Sequence, residues 1–330
     1  MNLAGKQVLV TGAAGFIGSH LAERLVREGC RVRALIHYDS RPDRNNLEFV
    51  ERAILQEMEV HRGDVRDPFF VQQAVNGCSV VFHLAALIGI PYSYIAPASY
   101  VETNINGTLN ILQAGLASGV ERIIHTSTSE CYGTAQYTPI DERHPLQGQS
   151  PYAATKIGAD KLAESFYLSF GLPVATVRPF NTFGPRQSAR AIIPTILSQL
   201  LSGRTVLQLG TLDPIRDMNY VENTVAGFLA VANSEAAIGK VINVGSGRGV
   251  TIGELAQLAM QITGREVPIQ LDQTRVRPAN SEVLALICNH QLATEVAHWQ
   301  PTFTLEAGLS RTAEFVREHL ELYRPEEYAV

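Results

Sequence analysis

The ten residues TGAAGFIGSH, positions 11–20, restrict the fold more than any other stretch of this chain. They place Gly12, Gly15 and Gly18 in a GxxGxxG spacing, between the apolar run QVLVTG (7–12) and the amphipathic run FIGSHLAERLVREG (16–29). A strand, a glycine turn and a helix within about 30 residues open a β-α-β unit. Glycine lets backbone approach a pyrophosphate closely, and a helix N-terminus offers free N–H groups and a positive dipole end. Gly12, Gly15 and Gly18, with Phe16 and Ile17 in the first helical turn, are therefore candidate contacts to a nucleotide cofactor. A tight turn in some other α/β protein is the plainer alternative.

The rhythm set by this unit continues. RVRALI (31–36), MEVHRGD (58–64), SVVFHLAA (79–86), RIIHTST (122–128) and PVATVRP (173–179) read as further strands. Helices are predicted near 67–76, over 97–119 and over 152–170. Short apolar strands separated by helices give an α/β fold with a doubly wound parallel sheet. Past about residue 180, Pro179, Gly184, Pro185, Pro194 and Gly203 break the chain into loops and shorter elements. KVINVGSG (240–247) then reads as another strand, ahead of a helix at 251–263. The expected division is a cofactor-binding domain over 1–180, rejoined by later segments, and a smaller, mainly substrate-binding domain over 181–330.

Bulk properties exclude some classes of function. The 330 residues are 45% hydrophobic and 18% charged, with a formal charge of -5 and no basic block. Neither nucleic acid nor an anionic membrane is expected as a main partner. Cys30, Cys78, Cys131 and Cys288 are scattered, without a CxxC pair or a metal-like cluster. They read as reduced thiols of a cytoplasmic protein. The N-terminus leads straight into the first strand rather than through a signal peptide, and no run of 18 apolar residues spans a membrane. His83 and His125, on apolar strands, read as satisfied core or cleft residues, and no metal site is expected.

The cofactor's adenosine end is less tidy. An acid for the ribose hydroxyls is expected about 20 residues past the glycine loop. That position is Ile36; Asp39 follows three residues later, amid His37, Arg41 and Arg44. Asp39 suits NAD, whereas the arginines suit the 2′-phosphate of NADP, and the balance tips slightly to NAD. In GDVRD (63–67), Asp64 is a candidate for the adenine amine and Val65 for the ring face, while Asp67 and Pro68 suit a helix cap. In HLAA (83–86), Leu84, Ala85 and Ala86 let backbone come close to a flat ligand.

HTSTSECYG (125–133) crowds Thr126, Ser127, Thr128, Ser129 and Glu130 at the end of an apolar strand. Buried hydroxyls and carboxylates are costly unless paired, so the cluster needs a reason. Downstream, Tyr152 and Lys156 lie four apart on a predicted helix and share a face. An ammonium beside a phenol favours phenolate and lowers the tyrosine pKa toward neutrality. Such a phenolate can take a proton from a sugar hydroxyl while hydride leaves the same carbon.

With these motifs in view, the chain resembles the extended short-chain dehydrogenase/reductases, and among them the nucleotide-sugar epimerases and dehydratases. The likeness includes TGxxGFIGSH, GDVRD, HLAA, NINGTLNIL (104–112), the YxxxK of 152–156, RPFNTFGPR (178–186), RDMNYVENT (216–224) and RVRPANSEV (275–283). It implies a Rossmann domain and a smaller C-terminal domain that holds a sugar nucleotide. In the 4,6-dehydratases of that family the strand ends in Thr, then Asp or Ser, then Glu, ahead of YG. The matching residues are Thr128, Ser129 and Glu130. The resemblance implies that Tyr152, helped by Thr128 and Lys156, deprotonates the hydroxyl at carbon 4. Glu130 would then remove the proton on carbon 5, water would leave carbon 6, and hydride would return there. Ser129 departs from the aspartate of glucose-type dehydratases and matches the mannose-type enzymes. UDP-glucuronate decarboxylases share Thr-Ser-Glu, so the triplet does not separate loss of water from loss of carbon dioxide; a 4-epimerase, which needs no such glutamate, is a further alternative. The wording of 125–160 and 178–196 resembles the dehydratases of bacterial legionaminic-type acid pathways, which act on nucleotide-linked N-acetylglucosamine, here UDP- or GDP-linked.

On the substrate side, Asn181 is a candidate for a diphosphate or sugar oxygen. Arg186, Arg190, Arg216 and Arg277 are candidates for phosphate, since the guanidinium fork suits it. Glu282 is a candidate for ribose hydroxyls, and Ser93 lies in a segment expected to be a loop covering nicotinamide and sugar. The family pairs its two long helices, here 97–118 and 152–170, with those of a second subunit, so the resemblance implies a homodimer through a four-helix bundle.

Overall fold

The computed structural model describes residues 1–39, 45–275 and 282–324. Seven parallel strands form its centre: β1 (Gln7–Thr11), β2 (Arg31–His37), β3 (Glu59–Gly63), β4 (Val80–His83), β5 (Arg122–Thr126), β6 (Val174–Pro179) and the returning strand Val241–Val244. Their order across the sheet is Val241–Val244, β6, β5, β4, β1, β2, β3. The order reverses between β1 and β4, and the crevice beyond the C-terminal strand ends at such a switch point is where open α/β sheets bind ligands. This is the Rossmann-type doubly wound sheet that the strand rhythm predicts.

Strand side chains alternate between two cores. Val8, Val10, Val80, Phe82, Ile124, Ala175 and Val177 face one, with Leu21 and Leu25 of helix α1 (Phe16–Arg27) and Phe228 of the helix Val221–Asn233. Leu9, Leu35, Val81, Ile123 and Val174 face the other, against Val71, Ile111, Leu112, Ala163 and Phe166. Burial on both faces explains why these strands are continuous apolar runs rather than alternating ones.

The chain after residue 180 is not a separate block. Helix Val221–Asn233 packs on the sheet, and Val241–Val244 pairs with β6 in the register Asn243 to Arg178. Beyond the sheet, Ile215–Asp217 joins Gly249–Thr251 and Ala285–Leu286 in a three-stranded sheet, and Leu207–Leu209 pairs with Ile269–Leu271.

The predicted helix over 97–119 is interrupted. It runs as an α-turn Pro97–Tyr100, a π-helical turn Val101–Asn106 and an α-helix Gly107–Ser118, closed by Gly119 in the left-handed region at φ 63°. The wider turn carries Asn104, whose side chain is fully buried and engaged elsewhere: it accepts from Leu87 N (2.8 Å) and donates to Leu87 O (3.0 Å) and to Thr155 Oγ1 (3.1 Å). The helix Pro151–Phe170 is well bounded. Ser150 caps it by accepting from Ala153 N, Pro151 fills its first turn, and Gly171 ends it at φ 68°.

At the switch point the sequence leaves no room for side chains. A Cβ on Gly18 would sit 2.1 Å from Gly12 O, and one on Gly12 would sit 2.9 Å from Ala85 N. The end of β1 is fastened to the end of β4 by the Thr11 hydroxyl, which accepts from Leu84 N (3.1 Å) and Ala85 N (3.0 Å). Its own proton goes to His83 Nδ1 at 2.8 Å. That direction follows from the next link: Thr108 donates to Asn104 O at 2.6 Å, so it can only accept from His83 Nε2–H, 3.1 Å away. Every lone pair and proton of the fully buried Thr11 hydroxyl is thus used. Thr11→Val keeps the shape and removes these bonds; it is expected to cost about 2–3 kcal/mol, measured by urea unfolding.

Candidate active site

The Tyr152–Lys156 helix buries one polar face beside the ends of β5 and β6. Tyr152, Lys156 and Asp160 are 8%, 4% and 4% exposed. Lys156 Nζ donates to Thr126 O at 2.6 Å. Thr128, which follows β5, hydrogen-bonds the Tyr152 phenol, and the Glu130 charge acts on the same phenol. Glu130 is half-buried and Ser129 buried. The hydroxyl segment turns there as a short 3-10 helix, Ser129–Tyr132, with Thr128 as its cap accepting from Glu130 N at 3.3 Å. The Glu130 carboxylate is thus near enough to the phenol for its charge to act on it.

The electrostatics differ from the sequence expectation. Burial pushes the Tyr152 phenol up from its ordinary value, the Thr128 bond opposing it and Cys131, Glu130 and Asp160 adding to it. Burial likewise pulls the Lys156 ammonium down, against the nearby Asp160 charge. Burial is thus the largest influence on both groups, and the Lys156 ammonium is engaged by the Thr126 carbonyl.

The glycine loop fits a dinucleotide. Helix α1 has no side-chain cap at Gly15 and no acid in its first turn, so the N–H groups of Phe16, Ile17 and Gly18 lack intrahelical partners. Leu84, Ala85 and Ala86 lie half-buried across the crevice from it. Asp39 stands at the end of β2, 3.9 Å from Arg62. Arg41 and Arg44 lie outside the described residues.

Several expected contacts are otherwise engaged. Asp64 is held by Arg66, whose Nε and Nη2 donate at 2.9 and 2.6 Å; that bond keeps its carboxyl below the ordinary range. Val65 packs into the core against Gly107, where a Cβ would lie 2.9 Å from Cγ2. Asp67 caps the helix Pro68–Val75 by accepting from Phe69 N and Phe70 N. Ser93 is not in a loop: it lies in the helix Ile90–Ile95, buried, its hydroxyl donating to Ile90 O at 2.6 Å. Arg186 donates through Nη2 to Glu23 on α1 (2.7 Å) and to Phe49 O (3.1 Å), while its Nη1 is buried without a hydrogen-bond partner.

Other substrate-side candidates are placed as follows. Asn181 follows β6 with its Oδ1 buried and without a hydrogen-bond partner. Arg190 lies against Gly89 and acts on Tyr100, whose ring meets that of Tyr152 edge-on at 6.4 Å. Arg216 donates to Glu282 at 3.0 Å, so these two distant segments meet. Arg277 lies outside the described residues. Sequence reasoning missed Asn104, Asp160 and Arg178. Asp160 was within reach, being spaced four residues beyond Lys156, and Arg178 was visible as a charge inside an apolar strand.

A Rossmann-type sheet with this glycine loop and a buried YxxxK helix defines an extended short-chain dehydrogenase/reductase. The chain belongs to the GDP-mannose 4,6 dehydratase family, whose model matches residues 9–312. It is 31% identical over 318 residues to the low-salt glycan biosynthesis protein Agl12 of Haloferax volcanii, covering 93% of this chain and 97% of that one. It is 33% identical over 334 residues to a UDP-N-acetyl-alpha-D-glucosaminuronate decarboxylase of Bacillus cytotoxicus, covering 95% and 98%. The dTDP-glucose 4,6-dehydratase DesIV of Streptomyces venezuelae, solved as a double mutant with NAD bound, superposes with a TM-score of 0.86 at 28% identity, covering 97% of this chain and 99% of that one. Among the described residues no helix is long and apolar enough to cross a membrane, and no metal-like cluster occurs.

The buried imidazoles make stability pH-dependent. Burial lowers His83 and His125, and burial with the Arg186 charge lowers His20 to about 4. Below about pH 6.5 the unfolded chain takes up protons at these rings that the folded protein refuses. Stability from them is complete above that pH and is lost progressively as pH falls toward the folded values. The urea midpoint is expected to drop between pH 7 and 5. It should drop less in His20→Gln, which keeps a donor for Pro185 O.

Proposed function

We propose that the protein is an NAD-dependent nucleotide-sugar 4,6-dehydratase acting on UDP- or GDP-linked N-acetylglucosamine. The observation that supports this reading is that Thr128 bonds both the Tyr152 phenol and Glu130 N, with the Glu130 charge acting on the phenol. A 4-epimerase has to move hydrogen at carbon 4 only; a second base beside the phenol, here a carboxylate, is what enolisation at carbon 5 requires.

In this reading the Gly12–Gly18 loop, Phe16, Ile17 and the 84–86 segment hold the dinucleotide, with Asp39 toward its ribose. NAD supplies the acceptor for hydride from carbon 4 and its return to carbon 6. Tyr152 takes the proton of the carbon 4 hydroxyl, with Thr128 fixing the phenol and Lys156 providing the compensating charge one helical turn away. The ketone so formed acidifies carbon 5; Glu130 removes that proton and passes it to the carbon 6 hydroxyl, which leaves as water, and carbon 5 takes a proton from solvent as hydride returns to carbon 6, in exchange for the one that Tyr152 releases. Most of the chain from 181 onward, with Asn181, Arg190, Arg216 and Glu282, would hold the sugar nucleotide.

A second reading is favoured by one residue. Ser129 cannot act as a strong acid for a leaving hydroxyl, and decarboxylation needs none; the Bacillus cytotoxicus relative carries a decarboxylase name. Incubation with UDP-, GDP-, CDP- and dTDP-linked hexoses and uronic acids, read by product mass, separates the two. Loss of water from an N-acetylhexosamine nucleotide is expected. Loss of carbon dioxide from a uronic acid nucleotide instead would overturn the dehydratase reading. Glu130→Gln should lower water loss by about 10²–10⁴-fold while carbon 4 oxidation persists.

The same reading includes a homodimer. Leu116, Leu168 and Phe170 are exposed on the two helices that the family pairs across a subunit boundary. Sedimentation should give twice the chain mass, and Leu168→Asp should shift the protein toward monomer.

A further inference from the structure

The helix that bears Tyr152 and Lys156 carries a third buried polar residue, one that the proposed chemistry does not use. Asp160 lies one turn past Lys156. Its Oδ1 accepts from His125 Nε2 at 3.0 Å, and its Oδ2 from Ser127 Oγ at 2.5 Å and Arg178 Nη2 at 2.6 Å. We propose that Asp160 is a positioning residue: its carboxylate joins the Tyr152–Lys156 helix to the ends of β5 and β6. It thereby sets the phenol and the ammonium against the segment Thr128–Glu130. The proposal rests on the roles given above to Tyr152 and Lys156.

The clamp grips that segment at both ends. Ser127 precedes it and is bonded to Asp160 as well as to Arg178 Nε (3.1 Å). Tyr132 follows it, with the Arg178 guanidinium 4.6 Å over its ring and its hydroxyl donating to Asn243 at 2.8 Å. Lys156 reaches the same strand end through Thr126 O. A short 3-10 turn does not by itself fix where Glu130 lies relative to the Tyr152 helix. The Asp160 carboxylate ties that helix to both flanks of the turn, directly through Ser127 and through Arg178 to Tyr132.

Charge gives the clamp a second effect. The groups facing Asp160 are His125 and Ser127 from the β5 end, Arg178 from β6, Lys156 and Tyr152 from its own helix, and Cys131 from the turn, with Glu130 and Tyr132 beyond. Arg178 and Lys156 are cations, His125 is neutral because burial lowers it, and burial pushes the Cys131 thiol up to about 12. Asp160 is therefore the carboxylate that balances two buried cations, and its negative charge favours the protonated form of both Lys156 and Tyr152. Burial alone would oppose the ionisation of Asp160; the His125 bond and the Arg178 charge hold its carboxyl below the ordinary range.

Asp160→Asn tests this in the NAD-loaded enzyme. The readout is single-turnover oxidation at carbon 4, followed by the absorbance of reduced nicotinamide. That step is common to dehydratase, decarboxylase and epimerase, so a wrong product class leaves the test intact. The rate is expected to fall at least tenfold, with the KM for the nucleotide sugar changing less than twofold. Both limbs of the pH profile are expected to move to lower pH by about one unit. Asp160→Glu, which keeps the charge, should leave the limbs in place. A lower rate with unmoved limbs in Asp160→Asn would reduce Asp160 to a structural part and overturn the proposal, as would an unchanged rate. In the protein without cofactor, the ring-carbon NMR signal of labelled Tyr152, assigned by its loss in Tyr152→Phe, should titrate at lower pH in Asp160→Asn. If the wild type oxidises no sugar nucleotide, the functional reading falls and this titration decides the positioning role. Should Asp160→Asn not fold, Ser127→Ala takes its place: it removes one clamp bond and keeps every charge. A threefold to tenfold lower rate with unmoved limbs is then expected, and a wild-type rate overturns the proposal.

Discussion

Three ionisable side chains spaced four apart on one helix, Tyr152, Lys156 and Asp160, are buried together, and much of the remaining architecture supplies their partners. An isolated ammonium or carboxylate in such surroundings would lose far more solvation than a folded domain can spare. The ends of β5 and β6 answer with the Thr126 carbonyl for Lys156, the Thr128 hydroxyl for Tyr152, and Ser127, His125 and Arg178 for Asp160. The hydroxyl-rich run after β5 is explained by this need before any substrate is considered. A strand of ordinary apolar residues ending there would leave the helix face unpaired.

The same helix is held from the opposite side by a second chain of bonds. Thr11 joins β1 to the loop after β4 and orients His83; His83 donates to Thr108, and Thr108 to Asn104 O. Asn104 then bonds both the Leu87 backbone and Thr155, whose hydroxyl donates to Tyr152 O at 2.8 Å. The glycine loop and the Tyr152 helix are thus parts of one hydrogen-bonded frame that crosses the switch point. The π turn at Val101–Asn106 belongs to this frame. Its extra residue is the local irregularity at which Asn104 meets loop and helix at once. Reacting groups set on rigid elements and supported by locked neighbours keep the tight geometry that hydride and proton transfer demand.

Local pattern carried most of the fold. Each central strand is a continuous apolar run, and the glycine spacing, the Ser150–Pro151 start and the Gly119 and Gly171 stops are all consequences of short-range stereochemistry. The π turn was not legible because its cause is tertiary: Leu87 and Thr155 are distant in sequence from Asn104. At the candidate site, the shared buried face of Tyr152 and Lys156 was legible from their spacing. The site was not legible where a charged side chain picks between partners. Arg186 and Asp64 read as ligand contacts, but each also has a protein partner: Glu23, which only the fold brings within 3 Å of Arg186, and Arg66, two residues from Asp64. The acidity expected of the Tyr152 phenol runs against its burial: the spacing to Lys156 reports a shared helix face but not the depth of burial, which is the largest influence on the phenol and pushes it up.

Ser129 sharpens what the proposed elimination asks of Glu130. Removing the carbon 6 hydroxyl as water requires a proton on that oxygen, and an alcohol side chain, 2% exposed and far weaker as an acid than a carboxyl, does not furnish it readily. Glu130 can close the balance by itself. As base it takes the proton from carbon 5, and as the resulting acid it delivers the same proton to the departing oxygen, so that carboxylate, water and double bond are all accounted for without a second acid. This requires carbon 5 and the carbon 6 oxygen to present themselves to one carboxyl on one face of the sugar. Such a demand can be met only if Glu130 is held still while the sugar turns toward it. A half-buried glutamate on a turn clamped through Ser127 and Tyr132 satisfies that condition, whereas the same residue on a free loop would not.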